Sequence, residues 1–392
     1  MKRIYLDNAA TSFPKAPGVA QAVYDYLTSV GSNINRGAYQ EALEAEEVVY
    51  DTRELLAEFF GCSQLENVVF TKNITESLNL TIRGLLKLGD HIITTSMEHN
   101  AVLRPLNHLK INYNDSLDVS ILPCDQYGDL PRGQALDTLL TNHLTPRTKA
   151  IIMTHASNVS GTILPLQEVS SFCHRHNLFF IIDTAQTAGI LDYSFGDLKA
   201  DAIAFTGHKG LLGPQGIGGV VLSTKLSSIL EPLITGGTGA SSEDDLQPVH
   251  LPDRFEAGTL NLPGIYGLNS SLNYLKELHI KTIMDKELSL TESFLNGIHS
   301  IKGVKLIGPS SLSHRTAVVS LDFPNMDNAL LSHKLASVFG ITNRCGLHCA
   351  PLAHKTLGTF PEGTVRFSFS HFNTQDDVDY TLKAIKQCLQ EG

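Results

Sequence analysis

Short apolar segments alternate with helical patterns through the first 260 residues. No other feature of the sequence restricts the possible folds as strongly as this alternation. Strands are predicted at residues 68–70, 91–95, 150–154, 178–183, 201–205 and 219–222. Strands that alternate with helices favour an α/β fold, in which helices cover a mainly parallel sheet. After about residue 260, long amphipathic helices alternate with two strands, which predicts a smaller α+β domain. We expect a large domain at residues 15–258, and a small domain at residues 1–14 together with 259–392.

Polar residues follow five of the predicted strands. They are Thr75, His99, Asn158, Asp183 and Lys209. In open α/β sheets, ligands bind at the carboxyl ends of the strands. Each residue alone has an ordinary alternative: Thr75 could simply cap a helix, and His99 could be a packing residue. All five together predict one site at this edge of the sheet.

The segment FTGHKGL at residues 205–211 places Lys209 among small residues just after an apolar strand. Asp183 ends the preceding predicted strand. Pyridoxal phosphate (PLP) needs these two groups: a lysine that forms a Schiff base with its aldehyde, and an acid that keeps its ring nitrogen protonated. The alternative is an ordinary strand-end acid and an ordinary loop lysine. The pair, together with the other polar residues, favours PLP.

A second cluster of reactive side chains is the segment RCGLHCAP at residues 344–351. Cys349 lies near arginine and histidine, which can make a thiol nucleophilic. One alternative is a metal site built from Cys345, His348, Cys349 and His354, but their spacing fits no common zinc pattern, and we predict no metal. Another alternative is a Cys345–Cys349 disulfide.

Arg366 lies in an alternating apolar strand and therefore needs an anion. A substrate carboxylate suits the guanidinium fork. An internal ion pair with Asp or Glu fits equally well, so the sequence leaves both open.

Composition narrows the range of partners. A net charge of −10 argues against nucleic acid, and 42% hydrophobic with 18% charged residues is typical of a globular protein. No apolar run approaches the ~20 residues of a membrane span. The start of the chain has no apolar signal core, so we expect a cytoplasmic protein whose six cysteines are free thiols.

Several motifs, taken in order, resemble the cysteine desulfurase and selenocysteine lyase family, within the class V aminotransferase group of PLP enzymes. The match runs from about residue 4 to about residue 372 and has a compact cysteine segment. Its motifs are YLDNAAT (5–11), NITESLN (73–79), MEHN (97–100), HASN (155–158), DTAQ (183–186), GHK (207–209), FEAGT (255–259) and RCGLHCAP (344–351). The resemblance implies the aspartate-aminotransferase type of PLP-dependent transferase fold.

The resemblance also implies a role for each cofactor-binding residue. Lys209 would be the Schiff-base lysine, and His99 would stack on the ring and shuttle protons. Asp183 would pair with the ring nitrogen, and Gln186 would bind the phenolic oxygen. The phosphate would be held by Thr75, Thr206, His208 and, from the other subunit of a homodimer, Thr259.

The same resemblance implies the substrate contacts and the reaction. Asn158, Arg366 and Arg344 would hold L-cysteine or L-selenocysteine, and Cys349 would be the nucleophile. We expect a desulfurase that forms L-alanine and a Cys349 persulfide. The alternatives are a selenocysteine lyase, an aminotransferase or a β-lyase. A non-catalytic scaffold is disfavoured because Lys209, Asp183 and His99 are all present.

The destination of the sulfur is not determined by the sequence. The compact segment around Cys349 would limit how far a persulfide can reach, so we expect a sulfur-acceptor protein to increase the rate. Iron–sulfur assembly, tRNA thiolation and a cofactor pathway all remain open. Cys345 could resolve the persulfide, form a disulfide or have no role.

Overall fold

Helices and strands alternate along most of the chain in the computed structural model, which describes residues 3–35, 37–239 and 245–390. The strands are β1 (Ile4–Tyr5), β2 (Val68–Thr71), β3 (His91–Thr95), β4 (Asp118–Leu122), β5 (Thr148–Thr154), β6 (Phe179–Asp183), β7 (Ala202–Thr206), β8 (Gly218–Leu222), β9 (Lys305–Ile307), β10 (Val318–Asp322), β11 (Ile341–Thr342), β12 (Arg344–Gly346) and β13 (Thr364–Ser368). The helices are α1 (Val19–Asp25), α2 (Gln40–Phe60), α3 (Ile74–Leu85), α4 (Asn100–Asn112), α5 (Gln134–His143), α6 (Leu166–Arg175), α7 (Thr224–Ser227), α8 (Leu262–Leu278), α9 (Ile280–His299), α10 (Asn328–Phe339), α11 (Pro351–Thr356) and α12 (Gln375–Gln390).

The large sheet has the strand order β2-β8-β7-β6-β5-β3-β4. Neighbours from β7 through β6, β5 and β3 to β4 pair in parallel. Strand β8 runs antiparallel to both β7 and β2, so β2 points in the same direction as the parallel strands. The predicted α/β fold with a mainly parallel sheet is confirmed.

Both faces of this sheet are buried, which explains why its strands are continuous apolar runs. In β6, Phe180 and Ile182 pack into one core, which α2, α6 and α8 cover. Phe179 and Ile181 face the opposite core, which α3 and α4 cover. Because successive side chains point to opposite faces, one short run of sequence supplies both cores.

The C-terminal part is a smaller α+β unit. Its antiparallel sheet has the order β12-β13-β10-β9, and β1 pairs with β11 beside it. Ile4 and Leu6 join the core that this unit forms with α9, α10 and α12. Helix α8 packs instead into the core of the large sheet. The predicted limit at residue 258 stays a prediction, and the packing of α8 favours a limit beyond that helix.

The sequence pattern predicts one helix at residues 41–60, ended by Gly61, and another at residues 75–88, closed by Gly89. Helix α2 ends at Gly61, whose φ of +65° is a conformation that favours glycine. Helix α3 was expected to continue to Gly89 but ends at Leu85. The turn that follows α3 is stabilised by a hydrogen bond of its own, in which the Lys87 amide donates to the Asp90 carboxylate at 2.8 Å. Among the described helices, none combines the length and the apolar character needed to cross a membrane.

A buried ion pair fixes the segment that carries Thr259. The Arg53 guanidinium donates to both oxygens of Glu256 at 2.8 and 3.0 Å, and the Phe70 amide donates to Glu256 at 2.6 Å. The Glu256 side chain thus connects its own segment, which follows residue 254, to α2 and β2. Only 9% of the Arg53 side chain and 6% of the Glu256 side chain are exposed.

We expect Glu256→Ala to lower the free energy of unfolding by about 3–5 kcal/mol, because it leaves Arg53 buried without a counter-charge. Urea unfolding followed by circular dichroism measures this change. The matched control is Glu58→Ala in the Lys276–Glu58 pair, whose side chains are 56% and 60% exposed. This substitution should lower the free energy of unfolding by no more than about 1 kcal/mol, because water screens the exposed pair. Equal losses in both variants would contradict the role given to the buried pair.

Candidate active site

Five strands end at the same edge of the large sheet, and one predicted polar residue lies at or after the end of each. Strands β2, β3, β5, β6 and β7 share one direction. Asp183 is the last residue of β6, and Thr75, His99, Asn158 and Lys209 follow the other four strands. The roles implied for these residues remain predictions, and the structure gives the contacts on which each role depends.

Asp183 and Lys209 lie within electrostatic reach of each other. Burial raises the pKa of the Asp183 carboxyl, while the Ala185 amide and the Lys209 amine oppose that rise. Burial lowers the pKa of Lys209 to about 8, with Asp183 acting against the fall and Arg366 and Arg344 adding to it. The lysine can therefore be neutral near physiological pH, as an amine must be to attack an aldehyde.

Two of the residues predicted to bind phosphate, Thr206 and His208, present buried atoms that fit an anion. Thr206 Oγ1 and His208 Nδ1 are buried and have no hydrogen-bond partner within the protein. Buried polar atoms normally find a partner. Burial lowers the pKa of His208 to about 4, with the positive charges of Lys209 and Lys15 adding to the fall. A neutral imidazole and a hydroxyl left without partners suit the phosphate oxygens of PLP.

Helix α3 contributes its first turn to the same region. Asn73 caps the helix by accepting from the Glu76 amide at 3.1 Å, so the alternative in which Thr75 is the cap is wrong. Thr75 lies in the first turn with an exposed side chain. The dipole at this end of the helix favours an anion.

His99 caps helix α4. Its Nδ1 accepts from the Ala101 amide at 3.0 Å, so a neutral ring carries its proton on Nε2. Burial lowers its pKa to about 4, and the charges of Lys209, Arg366 and Arg104 add to the fall. A neutral, fixed ring suits stacking on an aromatic cofactor. The low pKa disfavours the implied role of accepting a proton at neutral pH.

Gln186 contacts the N-terminal segment. Its Nε2 donates to the Ala9 carbonyl at 3.0 Å. Together with Asn8 and Lys209 it lines a cavity of about 40 Å³. The expected bond to the phenolic oxygen of the cofactor stays a prediction.

Cys349 lies in a short turn between β12 and α11, with its side chain exposed. Both His348 and Cys349 have positive φ angles, +48° and +58°, which residues with side chains rarely adopt. Two hydrogen bonds hold this strained turn: the Asn100 amide donates to the Cys349 carbonyl, and Asn158 Nδ2 to the His348 carbonyl, each at 2.8 Å. The turn is therefore attached to the residues beside His99 and to a predicted substrate contact.

The neighbours of Cys349 have separate roles. The buried imidazole of His348 lies 3.0 Å from Thr364 Oγ1, and burial holds its pKa well below the ordinary value. His348 therefore anchors the turn as a neutral ring. Asn158 connects this turn to Arg366, because its Nδ2 donates to the His348 carbonyl and its own carbonyl accepts from Arg366 Nη1 at 3.1 Å.

The two structural alternatives for this cysteine segment find no support. Within residues 3–35, 37–239 and 245–390, no three His, Cys, Asp or Glu side chains gather as a metal site would require. Cys345 and Cys349 are both free thiols, so the disulfide alternative is wrong for this structure. Burial raises the pKa of Cys345, which packs against the core of the small unit.

Arg366 has an internal partner and one free atom. Its Nη2 donates to Asp7 Oδ1 at 2.9 Å, and its Nη1 donates to the Asn158 carbonyl at 3.1 Å. The buried Nε atom has no partner. Arg366 therefore forms an internal ion pair, which was one of the two alternatives. Its Nε–H group remains available to a further anion. Arg344, half-exposed, lies 3.9 Å from the other Asp7 oxygen.

Thr259 lies near the start of α3, the helix that carries Thr75 in its first turn. It is exposed and follows Gly258, whose φ is +93°. It lines a groove of about 170 Å³ beside Lys72 and Glu76, near the start of α3. Its predicted reach into the site of a second subunit stays a prediction.

Three further residues at the site were not predicted from the sequence. Asp7 pairs with Arg366 and lies within the YLDNAAT motif. Glu98, next to His99, accepts from Thr95 Oγ1 at 2.6 Å and from the Thr154 amide at 3.0 Å, and burial raises its pKa to about 8. Lys15 donates to the His208 carbonyl at 2.8 Å and so supports the loop of Lys209. For Asp7 and Glu98, a position inside a motif was the available signal.

We expect the rate at which the apoprotein captures PLP on Lys209 to rise with pH and level off above pH of about 8. An amine is neutral above its pKa, so lowering the pKa from 10.5 moves the rise to lower pH. Borohydride reduction at timed intervals, followed by peptide mapping, measures this rate. A rate that continues to climb toward pH 10.5 would contradict the lowered pKa.

Comparison with known proteins agrees with the geometry. The family model described as "Aminotransferase class-V" matches residues 4–381. A probable cysteine desulfurase from Methanothermobacter thermautotrophicus is 32% identical over 393 residues, covering 99% of this chain and 95% of the relative. A cysteine desulfurase from Haloferax volcanii is 31% identical, with 97% and 88% covered.

Solved structures give the same result. The apo cysteine desulfurase from Thermococcus onnurineus NA1 superposes with a TM-score of 0.91 at 30% identity, covering 100% of this chain and 95% of that one. A cysteine desulfurase from Escherichia coli superposes with a TM-score of 0.86 at 27% identity, with 99% and 94% covered. With its full-length match to the family model and to these relatives, the chain belongs to the class V aminotransferase family, in the group of the cysteine desulfurases.

Proposed function

We propose that the protein is a PLP-dependent cysteine desulfurase that converts L-cysteine to L-alanine and retains the sulfur as a persulfide on Cys349. The observation that carries this proposal is the position of Cys349. Its exposed thiol lies on a turn held by Asn100 and Asn158, and the Asn158 carbonyl also accepts from the buried Arg366. An aminotransferase would not need a cysteine there.

PLP would supply an electron sink that lets the α-proton of the amino acid leave. Lys209 would hold the cofactor covalently, Asp183 would lie at its ring nitrogen, and His99 would stack on its ring. The phosphate would be bound by the unpartnered atoms of Thr206 and His208, together with the first turn of α3 at Thr75.

Lys209 would move the α-proton. With a pKa lowered by burial to about 8, its amine is partly neutral at physiological pH and can act as a base. The Asp183 carboxylate opposes the fall in the pKa of Lys209, so it would also stabilise the protonated amine.

Arg366 and Asn158 would orient the substrate. The free Nε of Arg366 is a buried donor for the substrate carboxylate. Asn158 Nδ2 already donates to the His348 carbonyl, so the residue that would contact the substrate also fixes the turn of the nucleophile. Substrate and thiol are thus positioned by one side chain.

Cys349 would take the sulfur. Its thiolate attacks the sulfur of the substrate, and an S–S bond forms as the Cβ–S bond breaks. The bonding pair passes to Cβ, which gains a proton, so that alanine leaves and Cys349 carries the persulfide. No external oxidant or reductant is needed for this half of the cycle.

Release of the sulfur would require a thiol from another molecule. The turn of Cys349 is short and held at two carbonyls, so the persulfide stays close to the mouth of the site. We therefore propose a sulfur-acceptor protein that docks there, and a homodimer in which Thr259 reaches the phosphate of the second subunit.

The direct test is to incubate the PLP-loaded protein with no more than one equivalent of L-cysteine per chain, without reductant, and to measure the mass of its cysteine peptides. The peptide with Cys349 should gain one sulfur atom for each alanine formed. Cys345→Ala is the matched control and should still gain it, because Cys345 is half-buried and its pKa is raised. Alanine without sulfur on Cys349 would refute the persulfide route.

A further inference from the structure

Two arginines face each other across the small sheet. Arg344 on β12 and Arg366 on β13 are direct partners in the antiparallel register. Like charges directly opposite each other destabilise a pair of strands. This arrangement therefore requires a negative charge between them.

Asp7 supplies that charge from a distant part of the sequence. One of its oxygens accepts from Arg366 at 2.9 Å, and the other lies 3.9 Å from Arg344. Its backbone is held in place by a bridge to Ser368 and by the Ala10 amide, which donates to its carbonyl at 3.0 Å. The Asp7 carboxylate is therefore fixed between both guanidinium groups.

The cluster of Asp7, Arg344 and Arg366 keeps room for one more anion. Arg366 is only 2% exposed, yet its Nε has no partner. Nε lies on the same edge of the guanidinium plane as Nη2, the atom that Asp7 already occupies. A carboxylate that binds this edge through both atoms must share Nη2 with Asp7.

We propose that Asp7 is a positioning residue that competes with substrate and product carboxylates for Arg366 and thereby keeps their affinity low. This inference rests on the proposed role of Arg366 in binding the substrate carboxylate. By formal charge the cluster carries one net positive charge, which a single carboxylate neutralises. Without Asp7 it would carry two, and the product L-alanine would leave more slowly.

The test uses propionate and calorimetry on the PLP-loaded protein, because propionate has the carboxylate of the substrate but no amine. Propionamide, of similar shape and without charge, is the control ligand. We expect Asp7→Asn to bind propionate about tenfold more tightly than wild type, since a competing charge within contact distance is removed. Binding of propionamide should not change, and Asp7→Glu, which keeps the charge, should remain near wild type.

Kinetics provide a second measurement. With L-cysteine, Asp7→Asn should lower KM, because the substrate carboxylate no longer meets a competing charge; a purely structural role would not lower KM. Propionate affinity that is equal to or weaker than wild type in Asp7→Asn would overturn the competition. Propionate that binds neither protein would overturn the role of Arg366 as well.

A second variant keeps the inference testable should Asp7→Asn fail to fold. Arg344→Gln changes a half-exposed side chain and reduces the net charge of the cluster to zero. It leaves Asp7 to act on Arg366 alone, so propionate should bind about tenfold more weakly than to wild type. Unchanged or tighter binding would overturn the proposal.

Discussion

Lys209→Ala is expected to abolish alanine formation from L-cysteine, with a loss on the order of ten-thousandfold or more, because one residue supplies both the covalent link to PLP and the base. Burial lowers the pKa of the Lys209 amine to about 8, and Asp183 acts against this fall. Asp183, Thr206 and His208 remain in the variant. PLP should therefore still bind, but without a covalent bond.

Borohydride reduction and peptide mapping separate these effects. Wild type should carry the label on Lys209, and Lys209→Ala should carry none. Lys281→Ala, which changes a 79% exposed side chain in a surface pair with Asp285, should label like wild type. A label on any lysine other than Lys209, or alanine formation that survives in Lys209→Ala, would refute the site.

The sheet and its functional edge could be predicted because their causes are local in the sequence. The run Phe179–Asp183 is apolar at four consecutive positions and ends in an acid, as expected of a strand buried on both faces that points a carboxylate at the edge. Once five such strands run in one direction, the residues that follow them must share that edge. The candidate cofactor site follows from this regularity and from the motifs.

The substrate end of the site depends on contacts that no local pattern encodes. Arg366 and Asp7 are 359 positions apart in the sequence, and their pairing follows from the docking of the N-terminal segment beside β13. The alternating apolar strand predicts that Arg366 needs an anion, but it does not identify that anion. For the same reason, the hydrogen bond from Asn158 to the His348 carbonyl could not be predicted.

The capping residues of α3 and α4 could not be chosen from residue type alone. Thr75 was one candidate for the cap of α3, yet Asn73 takes that position and Thr75 falls within the first turn. His99 caps α4 with Nδ1 and its pKa falls to about 4, which disfavours the implied proton transfer, while its stacking on the cofactor ring stays a prediction. Capping choices of this kind are decided by backbone geometry rather than by residue type.

Cys349→Ala is expected to reduce sulfide release from L-cysteine, measured with excess reductant, by a factor on the order of a thousand, because the variant has no thiol to receive the sulfur. PLP binding should be unchanged, since Cys349 is exposed and is not among the residues predicted to hold the cofactor. The cofactor absorbance and the Lys209 label therefore serve as internal controls for folding.

The matched control is Cys345→Ala, which removes the other thiol of the segment from a half-buried position on β12. Its sulfide release should stay close to wild type, because a thiol whose pKa is raised by burial is a poor nucleophile. The positive φ of Cys349 makes Cys349→Gly a further control: the backbone strain is relieved while the thiol is also lost, so its activity should match that of Cys349→Ala. Equal sulfide release by wild type and both Cys349 variants would instead favour a lyase that expels the chalcogen directly, and selenium release from L-selenocysteine would then be the activity to measure.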